Sequence, residues 1–215
     1  EMIGKPIDPA TELAKQADET IEAAVVIAGR EMVAAGRKQG RSTQVIYDRL
    51  VSLYQAQPNL AVRSSTSVRD QAYSTPVPLA YLASELAGIT AETKVLEPTA
   101  GNGMLLVGAA INNAVANELN PKRAAMLEAI GFKTTTENAA TSELAPANSQ
   151  DAVIANPPFG ATKDPNGDTI IYSVSPNWDT REVDHAIAFR ALDAMKDDGR
   201  AVLIVGGSNA NSEEG

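Results

Sequence analysis

From Thr93 onward the chain alternates short strand-forming runs with helix-forming ones, and this alternation restricts the possible folds more than any other feature. "TKVLEP" (93–98), "AVANELN" (114–120), "FKTTTEN" (132–138), "DAVIANPP" (151–158) and "RAVLIVGG" (200–207) are the strand candidates. Helix-forming stretches lie between them, near 103–114, from Pro121 to Ile130 and over 182–196. Antiparallel neighbours can be joined by a tight turn, whereas parallel neighbours need a long crossover, usually a helix. Repeated strand–helix units therefore predict an α/β fold, a doubly wound Rossmann-like parallel sheet of five strands. The sequence contains no internal repeats and no low-complexity tracts.

The first part of the chain has a different period. Leu13, Ala17, Ile21, Ala24, Val25, Ala28 and Met32 recur at helical spacing, with Gly36, Arg37 and Lys38 marking a helix end. Ser42 or Thr43 caps a second helix whose inner face carries Val45, Ile46, Leu50, Leu53 and Tyr54, closing before Pro58. Pro76 and Pro78 open a third helix that runs to about Leu86 and ends at Gly88. The division expected is an N-terminal helical segment over 1–58, a serine-rich linker over 59–72 and the sheet domain over 73–215.

Composition excludes several chemistries. The chain has no cysteine, so disulfides and thiolate metal sites are ruled out, and a reducing, cytoplasmic setting is expected. With one histidine, His185, neither a histidine metal cluster nor a serine–histidine triad is expected, and His185 reads as a helix residue beside Asp184. No apolar run is long enough for a membrane span. The net charge is −9, where nucleic-acid binders usually carry a basic balance. Either the partner is not a nucleic acid, or the groups that grip phosphate lie elsewhere.

In doubly wound sheets, ligands bind outside the carboxyl ends of the strands. The first strand ends in "EPTAGNGML" (97–105), where Gly101 and Gly103 permit a sharp turn and close backbone approach to a ligand. Leu106 stands where a dinucleotide fingerprint has its third glycine, and the Lys-Ser/Thr of a phosphate loop is missing. Glu118, ending the second strand, is placed to accept from both hydroxyls of a ribose. Asn138 ends the third strand, where an amide can read an adenine edge or simply form a turn. The fourth strand runs into Asn156-Pro157-Pro158-Phe159. Two prolines fix φ, remove two donors and press Asn156 into extended geometry. The result is a stiff tip that carries an amide and then an aromatic ring.

These motifs together resemble class I S-adenosylmethionine-dependent methyltransferases of the amino-methylating DNA type. That family carries Asn, Asp or Ser, two prolines and an aromatic at the end of strand four, a glycine loop after strand one, and a Thr-Pro segment ahead of the domain. "NPPF", "EPTAGNG" and "AYSTPVPLAYLA" (72–83) match these in the order seen in adenine methyltransferases. Gly160 extends the likeness to the modification subunits of restriction systems and to methylase domains of large phage or plasmid proteins. The resemblance covers residues 72–207 and implies strand order 3-2-1-4-5. It implies S-adenosylmethionine as cofactor, held by Tyr73, Thr75, Pro76, Glu97, Pro98, Ala100, Gly101, Gly103, Glu118, Asn138 and Asn156. It further implies a catalytic tip of Asn156, Pro157, Pro158 and Phe159, no metal, and adenine in DNA as the target.

The chain also departs from the family pattern. Complete class I domains have two strands after the fifth, and a separate module that reads the target sequence. Without them the sequence reads as a fragment or first module of a longer polypeptide, with DNA gripped by parts outside it. The insert at 161–180 reads as a flap over the base pocket, in which Trp178 either stacks on a base or packs internally. The tip itself specifies a planar amine, which RNA guanine and protein glutamine also offer. A cofactor-binding module without turnover, serving a larger phage or plasmid machine, is the reading from a different class.

Overall fold

The computed structural model describes residues 11–57 and 74–205. Strands β1 (Val95–Glu97), β2 (Ala114–Asn117), β3 (Lys133–Thr135), β4 (Gln150–Ala155) and β7 (Met195–Leu203) form one sheet in the order β3-β2-β1-β4-β7. Every pairing in it is parallel, which is the doubly wound arrangement expected. Short β1 lies at the centre, with Val95 opposite Ala114 on one side and Ala152 on the other. Val95, Leu96, Val153 and Ile154 are fully buried, as strands covered on both faces require. The expected linker lies outside the described residues.

Among the described residues, five helices surround the sheet: α1 (Glu12–Lys38), α2 (Thr43–Gln55), α3 (Val77–Leu86), α4 (Pro121–Ile130) and α5 (Val183–Asp193). Local chemistry explains their starts. The Ser42 hydroxyl accepts from Val45 N at 3.4 Å, and the Asn120 side chain accepts from Lys122 N at 3.0 Å with Pro121 opening the helix. Val26 and Val33 of α1, Ile46 and Leu50 of α2, and Val77 and Tyr81 of α3 share one buried cluster with sheet residues Val95, Ala152 and Ile154. Helix α1 ends at Lys38, in the Gly36–Lys38 stretch expected as its end, and Gly36 itself lies within the last turns. A Cβ there would stand 2.6 Å from Ile46 Cγ1, so glycine permits the close crossing of α1 and α2.

Two expectations are corrected. The stretch 103–114 forms no α-helix; it forms two 3-10 turns, Met104–Leu106 and Ile111–Asn113. The reason lies on α1. The Arg30 guanidinium donates to Leu106 O at 2.6 Å and Ala109 O at 2.9 Å, and Arg37 donates to Gly108 O at 2.7 Å. Carbonyls that an α-helix would pair internally are thus held by guanidinium groups, and charge-assisted bonds are the stronger kind. Replacing Arg30 with methionine keeps the aliphatic stem but removes the charged donor from both carbonyls, leaving Leu106 O only the Ala109 N–H at 3.0 Å. Chemical denaturation of Arg30→Met is expected to show a loss of about 1.5–3 kcal/mol.

The fifth sheet strand also begins earlier than the apolar run at 200–207. It pairs from Met195, with a register shift before Arg200 meets Ala152, because the polar residues 196–199 make an irregular entry. Finally, the insert at 161–180 is a built element. Strands β5 (Tyr172–Ser175) and β6 (Trp178–Thr180) pair antiparallel. Tyr172 packs with Val183, Ala186 and Ile187 of α5 and with Ala139 and Ala140. Trp178 is exposed at the surface and its ring lies 4.6 Å from that of Phe189, which is exposed as well. Among the described residues, no helix is long and apolar enough to cross a membrane.

Candidate functional site

The carboxyl ends of β1 and β4 open into a cleft. The glycine loop forms its floor. Gly101 and Gly103 both have positive φ, +55° and +87°, but they serve different ends. A Cβ on Gly101 would meet nothing within 4 Å, whereas one on Gly103 would press on Leu127 Cδ2 at 3.0 Å and Phe132 Cε2 at 3.2 Å. Gly101 therefore borders the open cleft, and Gly103 lets the turn settle on α4 and β3.

Of the residues expected to hold a cofactor, Thr75, Glu97, Ala100, Gly101 and Asn156 line this one cleft. The Asn156 amide nitrogen donates to Thr75 Oγ1 at 3.0 Å, joining the rigid tip to the segment that opens α3. Beyond the prolines, Gly160 turns back at φ +83°; its N–H donates to the Asp184 carboxylate at 3.3 Å and its carbonyl accepts from Val183 N at 2.9 Å. Asp184, beside His185, is therefore an anchor of the tip. Pro76, Pro98, Gly103, Pro157, Pro158 and Phe159 flank the cleft without lining it, and Tyr73 lies outside the described residues.

Glu118 stands at the rim. Its carboxylate accepts from Gly101 N and Asn120 N, each at 2.8 Å, so it fixes the glycine loop. Asn138 is exposed and caps a turn, its side-chain oxygen accepting from Ala140 N at 3.0 Å.

Glu97 is the most unusual group. It is 2% exposed, and its Oε2 has no hydrogen-bond partner. Burial, and secondarily the Glu118 carboxylate, push its pKa well above the usual carboxylate range. The folded state therefore holds this proton more tightly than the unfolded chain does. Glu97 contributes full stability below the ordinary carboxyl pKa, and that contribution is lost as pH rises. Glu97→Gln is thus expected to stabilise the ligand-free protein near neutral pH by about 0.5–2 kcal/mol. The gain should vanish near pH 4, and thermal melts at both pH values check it.

Sequence reasoning missed part of the wall. Glu22 of α1 lines the cleft and accepts from the Asn102 side-chain amide at 2.6 Å, while Glu19 accepts from the same nitrogen at 2.7 Å. Arg123 of α4 pairs with Glu19 through Nε and Nη2 at 2.8–3.1 Å. Only the spacing of Glu19 and Glu22, three apart on one helix face, hinted that they act together.

A ligand with an ammonium group fits this set of buried acceptors, and the glycine floor leaves open space beside it. S-adenosylmethionine has that chemistry.

No family model and no curated protein matches the chain. Among solved structures, it is similar to TrmN from Thermus thermophilus, at 26% identity and TM-score 0.34, over 41% of this chain and 30% of that one. A provisionally assigned RNA methyltransferase from Pyrococcus horikoshii is similar at 20% identity and TM-score 0.46, over 69% of each chain. So is the modification subunit of a provisionally assigned type I restriction enzyme from Vibrio vulnificus, at 15% identity and TM-score 0.45, over 74% of this chain and 40% of that one. The chain thus spans well under half of the Thermus and Vibrio proteins. All three TM-scores are below 0.5, and the functional reading rests on the cleft itself.

Proposed function

We propose that this chain is a methyltransferase domain that takes a methyl group from S-adenosylmethionine and places it on the exocyclic amino nitrogen of adenine in DNA. The carrying observation is the bond from Asn156 to Thr75, which seats the proline-stiffened tip on the same cleft as Gly101 and the buried Glu97. S-adenosylmethionine supplies an electrophilic methyl group on a sulfonium. The chain's residues supply position.

The bond to Thr75 uses the nitrogen of the Asn156 amide, which makes its carbonyl oxygen the end that faces a target amine. That oxygen and the Pro157 carbonyl accept the two amine hydrogens and draw the nitrogen lone pair out of conjugation with the ring. Phe159 stacks on the extruded base, offsetting part of the few kcal/mol needed to unstack it. Glu97 holds the ammonium end of the cofactor, and Glu118 keeps the glycine loop in shape beside its ribose. No general base with a tuned pKa is required, since orientation and fixed dipoles lower the barrier. The net charge of −9 fits phosphate contacts made by basic modules outside this chain.

Transfer of radiolabelled methyl groups to unmethylated DNA, RNA and protein tests this reading. Label recovered as N6-methyladenine from DNA supports it. Label confined to RNA or protein overturns the adenine assignment, and cofactor binding without transfer to any acceptor indicates a module that binds without turnover.

A further inference from the structure

We infer that α1 is part of the ligand site, and that Glu22 joins Glu97 in a two-carboxylate clamp for the ligand's primary ammonium group. This rests on the reading of the cleft as a site for S-adenosylmethionine. It adds a contact from the helical segment that precedes the sheet domain, so that the N-terminal helix sets affinity for the amino-acid arm.

Three buried oxygens here have no hydrogen-bond partner: Glu97 Oε2, Asn102 Oδ1 and Thr99 Oγ1, all on residues that line the cleft. Glu97 and Asn102 are 2% and 3% exposed, so water reaches neither freely. Asn102 cannot relieve the shortage, because its amide nitrogen already donates to both Glu19 and Glu22. Arg123, the one cation among the lining residues, is committed to Glu19. The cleft thus holds three unpaired buried oxygens and two carboxyl groups against one cation that is already paired. Among the described residues, no cluster has the ligand set for a metal ion.

An ammonium group carries three donors and one positive charge, which answers this deficit; a phosphate or carboxylate would deepen it. Burial, opposed by bonds from Asn102 and Ser74, leaves the Glu22 carboxyl above its usual range. An incoming cation restores its charged form, so Glu22 binds most strongly when the ammonium is present.

Calorimetry on wild type and Glu22→Gln, with S-adenosylmethionine and with 5′-methylthioadenosine, tests the clamp. The second ligand keeps the adenosine and lacks the amino-acid arm, and the substitution is isosteric and keeps an acceptor for Asn102. The result expected is at least a tenfold loss of affinity for S-adenosylmethionine and less than a threefold change for 5′-methylthioadenosine. An unchanged affinity for S-adenosylmethionine overturns the clamp, as does an equal loss for both ligands, which would mark Glu22 as a support of the pocket. A wild-type chain that binds no S-adenosylmethionine overturns the cofactor reading and the clamp with it.

Discussion

Asn156→Ala is expected to cost about 10²–10³ in kcat for methyl transfer, while affinity for S-adenosylmethionine falls less than tenfold. The asymmetry follows from geometry. The Asn156 nitrogen makes one bond at the rim, to Thr75, and losing it costs about as much as any single neutral hydrogen bond. The oxygen of the same amide acts on the target amine, and its interaction strengthens only as the nitrogen becomes tetrahedral. Such a group appears in kcat far more than in ligand binding. Phe159→Ala is a contrasting case, expected to weaken capture of the flipped base by about 1–3 kcal/mol through lost stacking. If Asn156→Ala transfers methyl groups at the wild-type rate, the tip does not orient the amine.

Asn117→Ala carries the largest expected loss of stability. Asn117 ends β2, is 1% exposed and makes four bonds at 2.8–2.9 Å. Its nitrogen donates to Pro98 O and Glu137 O, and its oxygen accepts from Glu137 N and Thr135 Oγ1. One amide therefore ties the ends of β1, β2 and β3 where the cleft opens. Alanine leaves several buried partners unsatisfied, and urea titration should show a loss of about 3–4 kcal/mol. Cofactor affinity should fall with it, since the Pro98 carbonyl begins the glycine loop. A loss under about 1 kcal/mol would mean that the strand tips are held by other means.

The contrast between Asn117 and Asn156 shows what the sequence made legible. Asn156 stands between a strand run and two prolines, and those neighbours state its geometry. Asn117 sits in an ordinary strand end, one residue before the more conspicuous Glu118, and its importance comes from partners on two other strands. The parallel topology was legible because the strands are short apolar runs separated by crossovers, whereas their order followed only from the resemblance of the motifs to a known family. The collapse of 103–114 into 3-10 turns was not legible, because its cause is a pair of arginines more than 70 residues earlier. Glu19 and Glu22 were hidden in the same way. On a surface helix such residues read as a solvated face, and only the placement of α1 against Asn102 gives them a role.

The central claim is that the cleft floored by Gly101 and walled by Glu97 is a site for S-adenosylmethionine. Titration calorimetry of the 215-residue chain with S-adenosylmethionine, alongside Glu97→Ala, tests it most directly. The account expects one saturable site per chain in the wild type and at least a tenfold loss of affinity in the variant. Wild-type protein that is folded and shows no saturable binding, or a variant that binds as tightly as wild type, would contradict it.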